Sequence, residues 1–311
     1  MYKDEESILF VVNPRSASGR TLQRWKNTEK MLLNAQVRGY RTAYTSKSGE
    51  ATHITSKAIK GGYQHIVAVG GDGTINEVLN GFYENGQKIA ESSYFSFLST
   101  GTGSDFQRMF PDHDFIGAVL SIIRRERIIH CDTVRAIYSS WAKNRECRYY
   151  INTADLGIGA ETCMRVNQNT KHLGGFLTFL SAAIRTIIAH QNFQAEVLVD
   201  GIKVFSGLTP EIVAANGRFF GGGIMIAPEA EIGDGLLDVV IIEDISKGKF
   251  LLNMPAAYRG DHIRQSCVKM YQGQRVDITC SKPVPLETDG ENPGTSNTSF
   301  EILPGNILLA F

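Results

Sequence analysis

The sequence predicts an open parallel α/β domain followed by a mostly antiparallel β domain. Three observations point there. Up to about residue 130, short apolar runs alternate with helix-period segments; three of those runs empty into turns of small residues; beyond residue 130 the runs become short and are separated by turn residues.

The elements follow in chain order. Ile8 to Val12 is a continuous apolar run stopped by Asn13-Pro14, which suits a strand buried on both faces. A helical segment over 21–38 follows the loop Arg15 to Arg20, then a strand at Arg41 to Thr45 and a helix through Ile54, Ala58 and Ile59. His65 to Val69 is a third strand, ended by Gly70-Gly71, after which Ile75, Val78, Leu79 and Phe82 keep the spacing of one helix face. Tyr94 to Leu98 is a fourth strand. Strands alternating with helices predict a parallel sheet covered on both sides. Beyond the boundary near 128–131, strand candidates are Val134–Ile137, Arg148–Ile151, Glu196–Val199, Ile202–Phe205, Glu211–Ala215, Leu237–Ile242, Val276–Thr279 and Ser299–Leu303. Asp200-Gly201 joins two of these as a tight hairpin turn. A helical segment near 165–190 interrupts them, and Leu173, Phe176, Leu177, Leu180, Ile184, Ile187 and Ile188 read as its core-facing stripe. The expected domains are 1–129, completed by 304–311, and 130–303.

Composition removes several classes. Lys plus Arg number 32 and Asp plus Glu 32, without the basic excess of a nucleic-acid binder. The five cysteines, scattered and odd in number, read as reduced thiols. The acidic start followed by a short apolar run is unlike a signal peptide, and no charge-free apolar run approaches the roughly 18 residues of a membrane span. A cytoplasmic chain is expected.

The chemistry lies in the turns. In Gly70-Gly71-Asp72-Gly73-Thr74, glycines let the backbone turn sharply, and the helix that starts at once offers N–H groups and a positive dipole end to a phosphate. Asp72 would repel a phosphate directly, so it calls for a bridging Mg²⁺ or a hydroxyl; as an alternative, Asp72 or Thr74 caps an ordinary helix. Asn13-Pro14-Arg15-Ser16-Ala17-Ser18-Gly19 and Thr100-Gly101-Thr102-Gly103-Ser104-Asp105-Phe106 follow the first and fourth strands. In a parallel sheet all three turns lie at the carboxyl edge, where such folds bind ligands. Neither a Walker A loop nor a full dinucleotide fingerprint is present, so nucleotide binding by another route is the inference.

These turns, followed by Asn216-Gly217, Gly221-Gly222-Gly223, Ala227-Pro228, Asp234-Gly235-Leu236-Leu237-Asp238 and Asp289-Gly290-Glu291, resemble the diacylglycerol kinase catalytic-domain family in order over about 280 residues. Ser104 departs from the family, which usually has Asn there. The resemblance implies a β-sandwich-like second domain and an active site in the cleft between the domains. It implies a soluble lipid kinase that transfers the γ-phosphoryl group of ATP to the hydroxyl of diacylglycerol or a related lipid alcohol. By resemblance, ATP would be held by Asn13, Pro14, Arg15, Ser16, Ala17, Thr45, Gly70, Gly71, Asp72, Gly73, Thr74, Ile75, Asn76, Glu77 and Thr102. Asp72 would organise Mg²⁺ and the phosphates, and Glu291, with Asp289 close behind, would accept the hydroxyl proton. A second, structural Mg²⁺ would sit on Asp234 and the main-chain carbonyls of Glu231 and Leu236. The substrate would be met peripherally at the inner membrane face, by the 173–188 helix or by the Arg124, Arg125, Arg127 cluster, each of which has a plainer structural reading. A homodimer follows by resemblance only. Sphingoid-base or ceramide phosphorylation is the nearest rival, an NAD kinase a more distant one, and a non-catalytic lipid- or nucleotide-binding regulator the rival of another class.

Overall fold

The computed structural model describes residues 7–101, 105–110, 114–169 and 176–311. The chain forms two compact units, one of residues 1–104, 110–131 and 305–311 and the other of 105–109 and 132–304.

The first unit holds β1 (Ile8–Val12), α1 (Arg20–Asn34), β2 (Tyr40–Tyr44), α2 (Glu50–Lys60), β3 (His65–Gly70), α3 (Asp72–Asn80), a short hairpin of β4 (Tyr83–Glu84) and β5 (Gln87–Lys88), β6 (Tyr94–Ser99) and α4 (Phe115–Arg124). Its sheet is parallel in the order β2-β1-β3-β6. Leu308 and Leu309, at the end of the last strand, add to β6 in parallel. Every residue of β1 and β3 is buried, which is why these strands read as unbroken apolar runs. Helix α1 buries Thr21, Trp25, Thr28 and Leu32, and the Trp25 ring lies 4.6 Å from that of Phe10.

A buried polar relay ties the C-terminal strand to this sheet. Arg125 Nε donates to His65 Nδ1 at 3.5 Å, His65 Nε2 pairs with Ser96 Oγ at 2.7 Å, and Ser96 Oγ donates to the Ala310 carbonyl. The Arg125 guanidinium also lies over the Tyr94 ring, 4.4 Å from its centroid, and Arg124 pairs with Glu126. The predicted basic cluster is therefore divided: Arg125 folds back onto the sheet.

The second unit holds β7 (Ile128–Ser140, from Asp132 on), β8 (Arg145–Tyr150), β9 (Thr153–Gly157), α5 (Ile158–Asn169), α6 (Phe176–Ala189), β10 (Phe193–Val199), β11 (Ile202–Thr209), β12 (Glu211–Ala215), the hairpin β13 (Phe219–Phe220) and β14 (Ile224–Met225), β15 (Leu237–Ile242), α7 (Lys247–Tyr258), β16 (Val268–Gly273), β17 (Arg275–Cys280), β18 (Pro285–Thr288) and β19 (Glu291–Ala310, up to Pro304). Its pairings are antiparallel, running β16-β15-β12-β9-β18-β19, with β10 between β11 and β17 and β7 beside β8. Asp200-Gly201, both at positive φ, make the expected hairpin turn. Strand β12 faces two cores, with Ile212 and Ala214 in one and Val213 and Ala215 in the other.

Helix α6 corrects the predicted stripe at Ile184 and Ile188, while Leu173 and the side chains of Phe176 and Leu177 lie outside the described residues. Ala183, Thr186, Ile187 and His190 face inward, whereas Ile184 and Ile188 are exposed. Thr186 satisfies its hydroxyl on the Ala182 carbonyl and His190 pairs with Glu161 at 3.0 Å, so two polar residues take core positions that an apolar count assigns to isoleucine.

Burial holds the His65 imidazole neutral, its pKa pushed down to about 3, with the Arg125 charge acting the same way. The unfolded chain gains a proton below pH about 6.5 that the folded chain refuses, so stability is complete above that pH and declines as pH falls towards 3. Thermal melts of His65→Gln against the parent are expected to show the parent losing about 2 kcal/mol more by pH 5.

Candidate active site

In the first unit the strand order reverses between β1 and β3, the switch point at which open α/β sheets bind ligands. The loops leaving those two strands are bonded together there. Asn13 N–H donates to the Val69 carbonyl at 2.9 Å, and Asn13 Nδ2 to Thr74 Oγ1 at 3.1 Å. Asn13 Oδ1 in turn accepts from the Arg15 amide at 3.0 Å. The loop after β6 joins through Thr100, whose Oγ1 meets Ser16 at 3.2 Å and Thr21 at 2.7 Å and whose amide donates to the Gly70 carbonyl at 2.8 Å.

Close backbone approach explains the glycines. A Cβ on Gly101 would stand 3.2 Å from Gly71 Cα, and one on Gly70 would collide with the Thr74 side chain at 2.5 Å. In the first turn of α3 the Thr74 and Ile75 amides turn back to the Gly71 carbonyl at 2.9 and 3.1 Å, and the helix start gives the junction a positive dipole end, as a phosphate requires.

The expected nucleotide residues divide by environment. Asn13, Pro14, Ser16, Ala17, Gly71, Asp72 and Gly73 are half-buried around this junction, and Arg15 is exposed. Ala17 sits at positive φ in the short helical turn Ser16–Gly19. Thr45 is buried, its amide donating to the Val12 carbonyl at 2.9 Å. Thr74, Ile75 and Asn76 are buried in α3, and Asn76 Oδ1 accepts from Asn80. Glu77 accepts from the Gly49 amide at 2.7 Å, the Ala51 amide at 3.2 Å and the Ser48 hydroxyl at 3.2 Å, and so caps α2. Thr102 lies outside the described residues.

In the second unit, the Asp289-Gly290-Glu291 turn closes the β18–β19 hairpin, with Asp289 at φ 46° and Gly290 at φ 87°. Asp289 is buried and its carboxylate accepts three consecutive amides: Ile151 at 2.9 Å, Asn152 at 3.0 Å and Thr153 at 3.2 Å. Its two oxygens thus hold the entry to β9. Glu291, half-buried, opens β19. Beside the turn, Asn216 Nδ2 bridges the carbonyls of Ile151 at 2.7 Å and Asp132 at 3.2 Å. A Cβ on Gly217 would lie 2.1 Å from Asn152 Oδ1, which accounts for Asn216-Gly217.

Asp105 belongs to this unit. Its buried carboxylate accepts from the Gly222 amide at 2.8 Å and lies 3.4 Å from Arg108 Nε, and burial raises its pKa against those contacts. It anchors Gly221-Gly222-Gly223, all at positive φ. A Cβ on Gly223 would stand 3.2 Å from the Arg108 guanidinium.

The loop with Glu231, Asp234 and Leu236 is held by Asp132, whose Oδ2 accepts from Gly235 at 2.8 Å and whose amide donates to the Ile232 carbonyl at 2.8 Å. Asp234 Oδ1 accepts from the Leu236 amide at 2.9 Å. Asp238 Oδ2 is buried without a hydrogen-bond partner, and the Asp238 pKa is pushed up to about 6, chiefly by burial and further by Asp234, Glu229 and Glu231. An orphaned carboxylate oxygen among acidic groups and main-chain carbonyls fits a hard divalent ion. Among the described residues no three His, Cys, Asp or Glu side chains gather as a metal cluster, so carbonyls would have to supply part of such a shell. His262 is buried and bonded to the Ile226 carbonyl at 3.1 Å, a structural tie.

Comparison with known proteins decides the family. The diacylglycerol kinase catalytic domain matches residues 7–136, and the YegS C-terminal NAD kinase beta sandwich-like domain matches residues 152–311. The chain belongs to the diacylglycerol kinase family. Membership makes it a kinase and implies use of a nucleotide. A diacylglycerol kinase of Bacillus subtilis (strain 168) is 27% identical over 304 residues, spanning 96% of this chain and 92% of its own length. A diacylglycerol kinase of Staphylococcus carnosus (strain TM300) is 25% identical over 300 residues, with 96% and 92% covered. A crystal structure of a diacylglycerol kinase from Bacillus anthracis (Sterne) shares the fold at a TM-score of 0.68 and 17% identity, covering 100% of this chain and 98% of its own.

Two kinase-family turns have measurable consequences. Asp289→Ala leaves three buried amides without an acceptor and is expected to lower stability by about 3 kcal/mol in chemical denaturation, with Asp289→Asn milder. Gly70→Ala pushes Thr74 off Asn13 and is expected to weaken ATP binding at least about tenfold, about 1.4 kcal/mol, by calorimetry.

Proposed function

We propose that this protein is an ATP- and Mg²⁺-dependent lipid kinase that phosphorylates diacylglycerol or a related lipid alcohol. The observation that carries the reading is the division of labour in the Asp289-Gly290-Glu291 turn. Asp289 is committed to three backbone amides, and of the two carboxylates we assign proton transfer to Glu291.

Phosphoryl transfer asks the protein for positioning, charge neutralisation and a proton acceptor. Gly70, Gly71 and Gly73, with the α3 amides, would receive the phosphates, and Asn13 and Ser16 would line the same junction. Asp72, in the first turn of α3, would hold Mg²⁺, which when bound neutralises phosphate charge. Glu291 would accept the lipid hydroxyl's proton as its oxygen bonds to the γ-phosphorus and the bond to the leaving ADP breaks. A second Mg²⁺ on Asp234 and the Glu231 and Leu236 carbonyls, next to the orphaned Asp238 oxygen, would stiffen its loop. The acceptor would be met at the inner face of a membrane. No described helix is long and apolar enough to cross one, while α6 exposes Ile184 and Ile188 near Arg185, apolar and basic character suited to an anionic lipid surface.

Glu291→Gln is expected to keep ATP affinity and lower kcat by about 10²- to 10⁴-fold in a mixed-micelle assay with labelled ATP. Wild-type turnover in that variant, with loss in Asp289→Asn at unchanged stability, would move the proton acceptor to Asp289.

A further inference from the structure

Three acidic side chains are buried together on neighbouring strands of the second unit: Asp155 on β9, Glu211 on β12 and Glu287 on β18, all at most 6% exposed. Glu287 stands directly opposite Asp155 in the β18–β9 register, and Glu211 opposes Gly157, two residues along the same face. Each takes one backbone amide: Asp155 Oδ1 from Ala160 at 2.5 Å, Glu211 Oε2 from Gly159 at 2.9 Å, and Glu287 Oε1 from Gly290. A Cβ on Gly159 would lie 2.8 Å from both Asp155 oxygens, so the strand-to-helix corner closes tightly on this carboxylate.

The second oxygen of each glutamate, Glu211 Oε1 and Glu287 Oε2, is buried and has no donor. Both glutamates lie within hydrogen-bond reach of Asp155. Other titratable groups that feel the cluster are Tyr150 on β8, Cys163 on α5, which Glu291 also influences, and Asp289 at the turn, all acids. A proton on each glutamate resolves both orphans at once. Glu211 and Glu287 then donate to a single Asp155 carboxylate, which the Ala160 amide in the first turn of α5 also stabilises. Burial acts in the same sense, raising Glu211 and Glu287 well above the usual carboxylate range.

We propose that Glu287 is the positioning residue for Glu291: as a neutral acid anchored on Asp155, it grips the Gly290 amide and sets where the Glu291 side chain leaves the hairpin. This rests on the reading of Glu291 as the proton acceptor. When Glu287 ionises, it faces Asp155 as a like charge and the grip on the turn loosens.

Glu287→Gln keeps an oxygen for the Gly290 amide and an NH₂ for Asp155 without a titrating proton, whereas Glu287→Ala keeps neither. The expected result is kcat within about threefold of the parent for Gln and at least about tenfold lower for Ala, with the KM for ATP unchanged in both. The folded parent retains a proton that the unfolded chain releases above pH about 4.5, so its stability falls as pH rises; the Tm advantage of Gln should grow between pH 5 and 9. Parent-like kcat in a folded Ala variant, or a Tm difference independent of pH, would overturn the proposal. Should the Ala variant not fold, the Gln Tm profile and amide exchange at Gly290 decide alone. If the parent phosphorylates no lipid, the lipid-kinase reading fails, while Tm and exchange still report on Glu287.

Discussion

The grip of the Asp289 carboxylate on the amides of Ile151, Asn152 and Thr153 is the interaction on which the second unit's site depends. The chain leaves β8 and enters β9 through a bend that exposes three consecutive N–H groups inside the protein, where each demands an acceptor. One carboxylate serves all three and pins the β18–β19 turn against the start of β9. Everything nearby takes its place from that contact: Asn216 bonds the Ile151 carbonyl on the same bend, Asn152 reaches the Phe219 carbonyl, and Glu291 begins β19 two residues after the anchor. The turn that carries the proposed proton acceptor is thus held by the core, not by solvent-exposed loop contacts.

A comparable economy governs the first unit. Parallel strands must be linked by crossovers, and the reversal of strand order between β1 and β3 leaves a gap at their carboxyl ends. Small residues fill that gap because backbone approaches backbone: a Cβ on Gly101 would press on Gly71 Cα at 3.2 Å. Thr74, Asn13, Ser16 and Thr100 then bond the three loops into one platform. Glu77, one helical turn beyond Thr74, serves the scaffold by capping α2.

Much of this was legible beforehand. Apolar runs such as Ile8–Val12 and His65–Val69 announce buried strands, and the turn residues after them announce the ligand edge. The ordered motifs carry the family across both units. Besides the two-residue hairpin strands, three strands escaped: Thr153–Gly157, Val268–Gly273 and Pro285–Thr288. Thr153–Gly157 is wholly buried, yet it carries a threonine, an aspartate and a glycine, a composition that reads as a loop. Asp155 is tolerable there only because Glu211, Glu287 and the Ala160 amide surround it. Likewise the inward face of α6 uses Thr186 and His190, each with a local or cross-helix partner, and turns Ile184 and Ile188 outward.

Local sequence by itself determined the strands with continuous apolar character, the glycine turns, the order of the motifs and the kinase family, because backbone sterics and hydrophobic periodicity act over a few residues. Tertiary structure alone decided that Asp289 serves the scaffold. Asp289 and Glu291 stand two residues apart with the same charge, and no local rule ranks them. The place of Asp289 is set by partners 136 residues or more away in the chain, since a buried carboxylate is defined by the donors that converge on it.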